Sequence, residues 1–434
     1  MHTREQSARL IIAQQEFSLP VIVDNQDQQH LDVRDFHQKS GMFLYDPGLI
    51  NTAIAQSTIT WIDSQNDKLY YRGYDVEDLC RQSSFVEVSY LLAYGSLPAA
   101  AELEQYSRSL SNHSLIHESM KNFFDSFPGD AHPLAILATM VTALSSYYPK
   151  SYEFNKSMGI DITVRLLAKV RTLAAWSYKR SIGQPVIYPR DELPYWTNFL
   201  NMMFALPVEH YSVDPMDDEV LNKLMILYCD HEQNIATATV RMLASTKANL
   251  FVCINAGISA FWGSKEAAWE VLTVPMIEHM LDNRMSPESY FQDFINGMSR
   301  INSSAFGHAK YKQLDPRVRV ARDLFHTYLK KKEAQAWQID AFTQKALEVE
   351  EFTTQHTLFK EKGLYPNLDF YSALIFHLMG IPENMGNSIR VIGKLPGWLA
   401  HWQEQRLNEQ TGSMRPQQIY SGPRMREWQP IDKR

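Results

Sequence analysis

The sequence predicts a mainly α-helical protein with a small β-rich region at its N-terminus. Three observations predict it. Short apolar runs alternate with polar residues up to about Tyr71, apolar residues recur at i, i+3, i+4 and i+7 from Val76 onward, and prolines separate the helical segments.

Taken in order, the runs "LIIAQ", "SLPVIV", "STITWID" and "KLYYRG" lie between Ala8 and Gly73, divided by Asp, Asn, Gln and Gly, and read as short strands. The period then changes to that of a helix. "SFVEVSYLLAYGSL", "HPLAILATMVTALSSYY", "MGIDITVRLLAKVRTLAAWSYKRSI" and "DEVLNKLMILYCDHEQNIATATVRMLAS" each keep one apolar face over ten residues or more. Pro185, Pro189, Pro194 and Pro207 punctuate one long connection, and Pro275, Pro287, Pro316, Pro366, Pro382 and Pro396 punctuate the rest.

The chain of 434 residues is long enough for one large domain or two ordinary ones. With 45% apolar and 21% charged residues, a net charge of -7 and no basic tract of five residues, it argues against nucleic-acid binding. Cys80, Cys229 and Cys253 form no CxxC pair, which speaks against a disulfide framework and a structural metal site. The expected location is cytoplasmic. No run of 18 apolar residues occurs, so no membrane partner is expected.

Four stretches carry residues fit for chemistry. In "CDHEQNIATATVR", Asp230 to Asn234 sit inside a helical pattern, so His231 either faces a site or belongs to a solvated acidic turn. In "AFGHAKYKQLDPR", His308 lies close in sequence to Lys310, Lys312 and Arg317, a set suited to an anionic ligand or to a surface turn ended by Asp315-Pro316. In "GLYPNLDFYSALIF", Asp369 follows a turn signal, and reads either as a helix cap or as a base desolvated by Tyr365, Phe370 and Tyr371. "KLPGWLAHWQEQ" and "MRPQQIYSG" supply Lys394, His401 and Arg415, while Trp398 and Trp402, four apart, read as core on one helix face.

These four stretches, in this order and spacing, together with "DPGLINTA", "YYRGYDVEDL", "DAHPLAIL", "SIGQPVIYPR", "NFLNMMF" and "GIPENM", make the chain resemble the citrate synthases, in their bacterial, hexameric-type form. The resemblance implies a citrate synthase-like two-domain helical fold: a β-rich region over 1–70, a large helical domain over 71–268 and 378–434, and a small helical domain over 269–377. It implies a homodimer, extended in some members to a homohexamer. It also implies a condensing reaction that joins an acyl-CoA to a 2-oxo acid such as oxaloacetate, with the coenzyme A thioester as co-substrate and no permanently bound cofactor or metal.

Residue by residue, Asp369 matches the base that takes a proton from acetyl-CoA, and His308 matches the histidine that polarises the ketone. His231 and Arg317 match positions that bind the 2-oxo acid, and Arg415 matches an arginine contributed across the dimer. Lys312 falls where the family places a cation for the CoA phosphates. A 2-oxo dicarboxylate needs cations and a donor at its ketone, and a weakly acidic thioester methyl needs a base and a donor for the enolate oxygen.

The departures from the family pattern gather at the same site. The family has Trp-Gly-Pro, a small residue, then His-Gly-Gly, and that histidine stabilises the enol. Here "WGSKEAAWE" is one residue shorter and has no histidine, with Lys265 or Glu266 nearest. Lys394 stands for a family arginine and Arg390 for a site phenylalanine, so both are candidate substrate contacts, with Lys265 as a replacement donor. Tyr228 takes the place of a further histidine, and Gln417 that of an arginine. Altered substrate or chemistry is expected, with a non-catalytic, ligand-binding or regulatory homologue as the alternative.

Overall fold

The computed structural model describes residues 6–149, 156–208, 211–263, 272–299, 305–308, 310–311, 313–408 and 412–434, and for 156–160 the backbone alone. Among these, every named strand precedes Val76 and the body is helical, as the change of period predicts. No described helix is long and apolar enough to cross a membrane.

The chain divides into two compact units, Met1–Gln56 with Met414–Arg434, and Ser57–Ser413. In the first, β1 (Gln6–Ile12), β2 (Gln15–Val23) and β3 (Gln29–Leu31) form an antiparallel sheet in that order. Phe17 and Leu19 share one face of β2 by the two-residue period and bury it against Phe36. In the second unit, β4 (Thr60–Asp63), β5 (Lys68–Tyr71) and β6 (Tyr74–Asp75) form another antiparallel sheet. Ile62 opposite Leu69 faces the core, while Trp61 opposite Tyr70 stacks on the other face with ring centroids 4.8 Å apart.

Helices begin where the sequence supplies side-chain acceptors. Asp75 accepts from the Glu77 N–H at 2.9 Å and starts the Val76–Gln82 helix, and Ser84 with Glu87 forms a reciprocal capping box on Phe85–Tyr94. The helix Gly386–Leu407 runs through the middle of the second unit and is buried along nearly its whole length. It packs against the helices Lys156–Ser181, Pro215–Tyr228, Ile235–Ser245 and Leu250–Phe261. Trp398 and Trp402 are both core residues of this helix, as their spacing implies.

Pro396, expected to separate two elements, instead lies inside this central helix. Packing on all sides holds the helix together across the proline. The step also has a use: the Gly397 N–H donates to the Cys229 carbonyl at 3.1 Å and ties the central helix to the end of Pro215–Tyr228. A Cβ on Gly397 would stand 2.2 Å from that carbonyl oxygen, and one on Gly393 2.8 Å from Met225 Sδ, so glycine alone allows this crossing.

Candidate active site

The segment expected to continue as helix through Asp230–Asn234 breaks there. The Pro215–Tyr228 helix ends at Cys229, Glu232 turns the chain at φ 53°, and Asn234 restarts it as Ile235–Ser245 by accepting from the Thr237 N–H at 3.0 Å. Nor is this a solvated acidic turn, since Asp230 and His231 are both buried. Polar backbone in a buried break needs partners. Tyr71 supplies one by donating to the Asp230 carbonyl at 3.0 Å, and Gly397 supplies the other.

A line of side chains fixes the break further. His401 Nε2 meets Asp230 Oδ2 at 3.2 Å, and Arg241 Nη1 lies 3.1 Å from His401 Nδ1. Because Arg241 can only donate, Nδ1 is the acceptor and Nε2 carries the proton that Asp230 receives. Arg241 is held in turn by Glu404 at 2.7 Å, whose other oxygen accepts from the Thr58 N–H at 2.9 Å.

With Asp230 pinned, His231 turns to the loop of His308. Its Nε2 is 2.9 Å from the Tyr311 hydroxyl, and its ring meets His308 edge-on at 4.8 Å. The His308 loop is stitched by its backbone to the lead-in of Asp369: Gly307 N–H donates to Tyr365 O at 2.7 Å, and Asn367 N–H to Ala305 O at 3.0 Å. Gly307 has φ 72°, and a Cβ there would meet Gly363 O at 3.1 Å.

His308 Nδ1 accepts from the Lys310 N–H at 3.2 Å, which leaves the proton on Nε2. Burial, reinforced by the charge of Arg317, pushes His308 down to about 4, so it is a neutral N–H donor near pH 7. Burial likewise holds His231 well below the ordinary histidine range, with Arg317 adding to the effect. Arg317 begins the Pro316–Ala334 helix, and its Nε and Nη2 bind the carboxylate of Asp315 at 3.0 and 2.6 Å. Its Nη1 has no such bond among the described residues and is the donor left for a ligand carboxylate.

His231, His308 and Asp315 bring possible metal-ligand atoms within 4.8 Å of one another. Both oxygens of Asp315 are occupied by Arg317, however, and a dication there would lie beside a guanidinium. The set suits an organic anion better.

Asp369 is not the cap of its helix. Asn367 is, accepting from the N–H groups of Asp369 and Phe370 at 3.0 and 3.1 Å, so the Asp369 carboxylate can turn away from the helix end. Its Oδ1 receives Tyr228 OH at 2.6 Å and Arg390 Nη2 at 2.9 Å. Tyr228 also meets Ser372 Oγ at 2.7 Å. Ser372 gives its own proton to the Leu368 carbonyl at 2.7 Å, so the single Tyr228 proton is shared between Asp369 Oδ1 and Ser372 Oγ. Burial, then the charge of Asp369, holds the Tyr228 phenol well above its ordinary range, so it remains a donor.

Arg390 and Lys394 lie one turn apart on the central helix, both buried. The Arg390 guanidinium sits 4.7 Å from the ring of Phe261, and Lys394 Nζ 5.4 Å from the same ring. Lys394 is near enough for its charge to act on Asp230 and His231, and Asp369 acts on His308.

His231, His308, Arg317, Asp369, Arg390 and Lys394 thus belong to one neighbourhood of the second unit. Lys265 and Lys312 lie outside the described residues, and Arg415 is an exposed residue of the first unit. The sequence reading did not include Ser372, Tyr311 or the line from Arg241 to Glu404 in the site. Ser372 was within reach of it, being three residues past Asp369 and so on the same helix face.

Comparison with known proteins gives one consistent result. Residues 48–417 match the family described as citrate synthase, C-terminal domain. The chain is 39% identical over 397 residues to citrate synthase 1 of Mycobacterium tuberculosis, covering 91% of each. Among solved structures it is similar to citrate synthase from Thermotoga maritima (TM-score 0.76, 26% identity, 90% of this chain and 99% of that one). It is similar too to citrate synthase from Thermoplasma acidophilum in ternary complex with carboxymethyl coenzyme A and oxaloacetate (TM-score 0.79, 27% identity, 89% and 98%).

Proposed function

The chain belongs to the citrate synthase family, and on that premise we propose that it is a condensing enzyme that joins an acyl-CoA to a 2-oxo acid, with a substrate pair altered from acetyl-CoA and oxaloacetate. Asp369 takes a proton from the α-carbon of the thioester. The neutral His308 donates its Nε2–H to the ketone of the 2-oxo acid, whose developing oxyanion it holds as the new C–C bond forms. His231, Arg317 Nη1 and Lys394 bind the carboxylates, Lys312 the CoA phosphates, and Arg415 reaches the site of the other subunit in a homodimer.

The observation that carries this reading is the backbone stitching of the His308 loop to the start of the Asp369 helix, which fixes the ketone donor and the base on one piece of structure. The reason for an altered substrate is Arg390, which puts a second cation, beside Lys394, where the family pattern has a phenylalanine.

Thiol release from acetyl-CoA and other acyl thioesters, with oxaloacetate and other 2-oxo acids, tests it. Release that requires the 2-oxo acid and vanishes in Asp369→Ala is the expected result. The second reading, a non-catalytic homologue that binds ligand or regulates a functional partner, is favoured by the two donors on Asp369 Oδ1. Tight binding of a 2-oxo acid without thiol release from any pair would establish it instead.

A further inference from the structure

We infer that Arg390 is the group that holds the enolate oxygen of the acyl thioester, in place of the histidine missing after Phe261. The inference rests on the condensing reading and assigns one step of it. The ring of Phe261, which ends the helix leading into that segment, packs against the Arg390 guanidinium, so Arg390 stands beside the start of the turn from which the family donor comes.

The distances support the assignment. Arg390 Nη2 is 2.9 Å from Asp369 Oδ1. In a thioester the carbonyl oxygen lies roughly 2.4 Å from the α-carbon, as ordinary bond lengths require. A substrate that offers its α-hydrogen to Asp369 Oδ2 therefore brings its carbonyl oxygen near the guanidinium beside Oδ1. Asn387 Oδ1 anchors Arg390 Nη1 at 3.1 Å, and the rings of Tyr228 and Phe261 lie 5.2 and 4.7 Å from the guanidinium carbon. Tyr228 is a poor candidate for the same task, because its one proton already has two acceptors, Asp369 Oδ1 and Ser372 Oγ.

The charges balance. As the α C–H bond breaks, the proton goes to Asp369 Oδ2 and the electron pair moves onto the thioester carbonyl oxygen. One negative charge leaves the carboxylate and appears on the enolate. Arg390 is paired with an anion before the step and with an anion after it, and the N–H released by the neutral carboxylic acid is the one the enolate accepts. The cation that weakens the base also stabilises its product, so pairing the base does not by itself oppose the reaction. A neutral histidine donor would bring no such exchange of partners.

The test uses the full-length enzyme with Arg390→Met and Arg390→Lys. Loss of an oxyanion donor lowers kcat about 10²- to 10³-fold, which is expected for Arg390→Met with little change in the dissociation constant of free CoA. Thiol release within about threefold of the wild type would overturn the inference. A purely structural role is separated by substrate acidity: with a 3-oxoacyl thioester, whose α-hydrogen is already acidic, the loss in either variant should shrink at least tenfold, and equal losses would overturn it. If Arg390→Met does not fold, Arg390→Lys carries that comparison alone. Carboxymethyl-CoA, which carries a carboxylate where the enolate would form, provides a binding readout free of turnover. Its affinity should fall in the variants while that of CoA does not, and parallel losses would count against the assignment. Absence of thiol release by the wild type would defeat the condensing reading, while the carboxymethyl-CoA comparison would still decide the role of Arg390.

Discussion

His308 shows how much a single ring depends on its surroundings. Above pH 6.5 it is neutral in both the folded and unfolded chain and contributes nothing to pH dependence. Below 6.5 the unfolded chain takes a proton that the folded one refuses until about pH 4, so stability falls across that window. The loss is about 3 kcal/mol by pH 4, and His231, shifted in the same direction, adds to it. Urea unfolding at pH 7, 5.5 and 4.5 should show this decline, with a shallower one in His308→Gln; parallel curves for the two proteins would contradict the assignment. At Asp369 the helix cap can be separated from the proposed base. Asn367→Ala should cost about 1 kcal/mol of stability and lower kcat through misplacement of the carboxylate, whereas Asp369→Asn should abolish thiol release without comparable loss of stability. Both histidines, Asp369 and Arg390 are candidates in the sequence because motif spacing carries them, and the structure brings them into one neighbourhood. The pairing of Arg390 with Asp369 was not legible there, since it joins two helices and no periodicity reports which charges meet.

At the scale of elements, the crossing of the central helix over the end of Pro215–Tyr228 is the most exacting contact. Gly397→Ala would set a methyl group 2.2 Å from the Cys229 carbonyl oxygen, and one helix must move. A loss of more than about 3 kcal/mol is expected, read as a lowered melting temperature, together with reduced affinity for the 2-oxo acid because Asp230 and His231 follow directly. A melting temperature unchanged within 2 °C or so would show that the crossing relaxes without strain. The change from two-residue to helical period at Val76 separated the strands from the main helices, although the short helix Phe36–Ser40 lies inside the strand region. The reading failed at Asp230–Asn234, where small apolar residues on both sides of a break mimic a continuous helix, and at Pro396, where tertiary packing outweighs a local breaker.

For the whole molecule, the first compact unit has a surface unlike that of a finished monomer. Ile50, Met425, Trp428 and Ile431, all of this unit, are 78 to 89% exposed, more than large apolar side chains usually are. A second copy of the chain is the partner that the family implies, and sedimentation at micromolar concentration should give a dimer or a larger even assembly; a monomer would exclude it. The role of Arg415 has its own test. Arg415→Ala and Asp369→Ala should each be inactive alone, but subunits exchanged between them should recover about one quarter of wild-type activity, because half the dimers are mixed and each mixed dimer has one intact site. No recovery would place Arg415 outside the partner's site. Composition and motif order revealed the architecture. They could not reveal the two compact units, because the C-terminal segment Met414–Arg434 groups with residues more than three hundred positions earlier.

The stitched loops and the central helix also divide the labour of change. Asp369 and His308, the proposed base and ketone donor, are tied together by backbone hydrogen bonds, while Arg390 and Lys394 are two side chains on a helix that the rest of the second unit packs around. Selection, or a designer, can therefore alter which 2-oxo acid is accepted by exchanging the residue at 394, one turn along the helix, and leave the bond between Arg390 and Asp369 in place. A library at position 394 is a small one in which a changed choice of 2-oxo acid should be found.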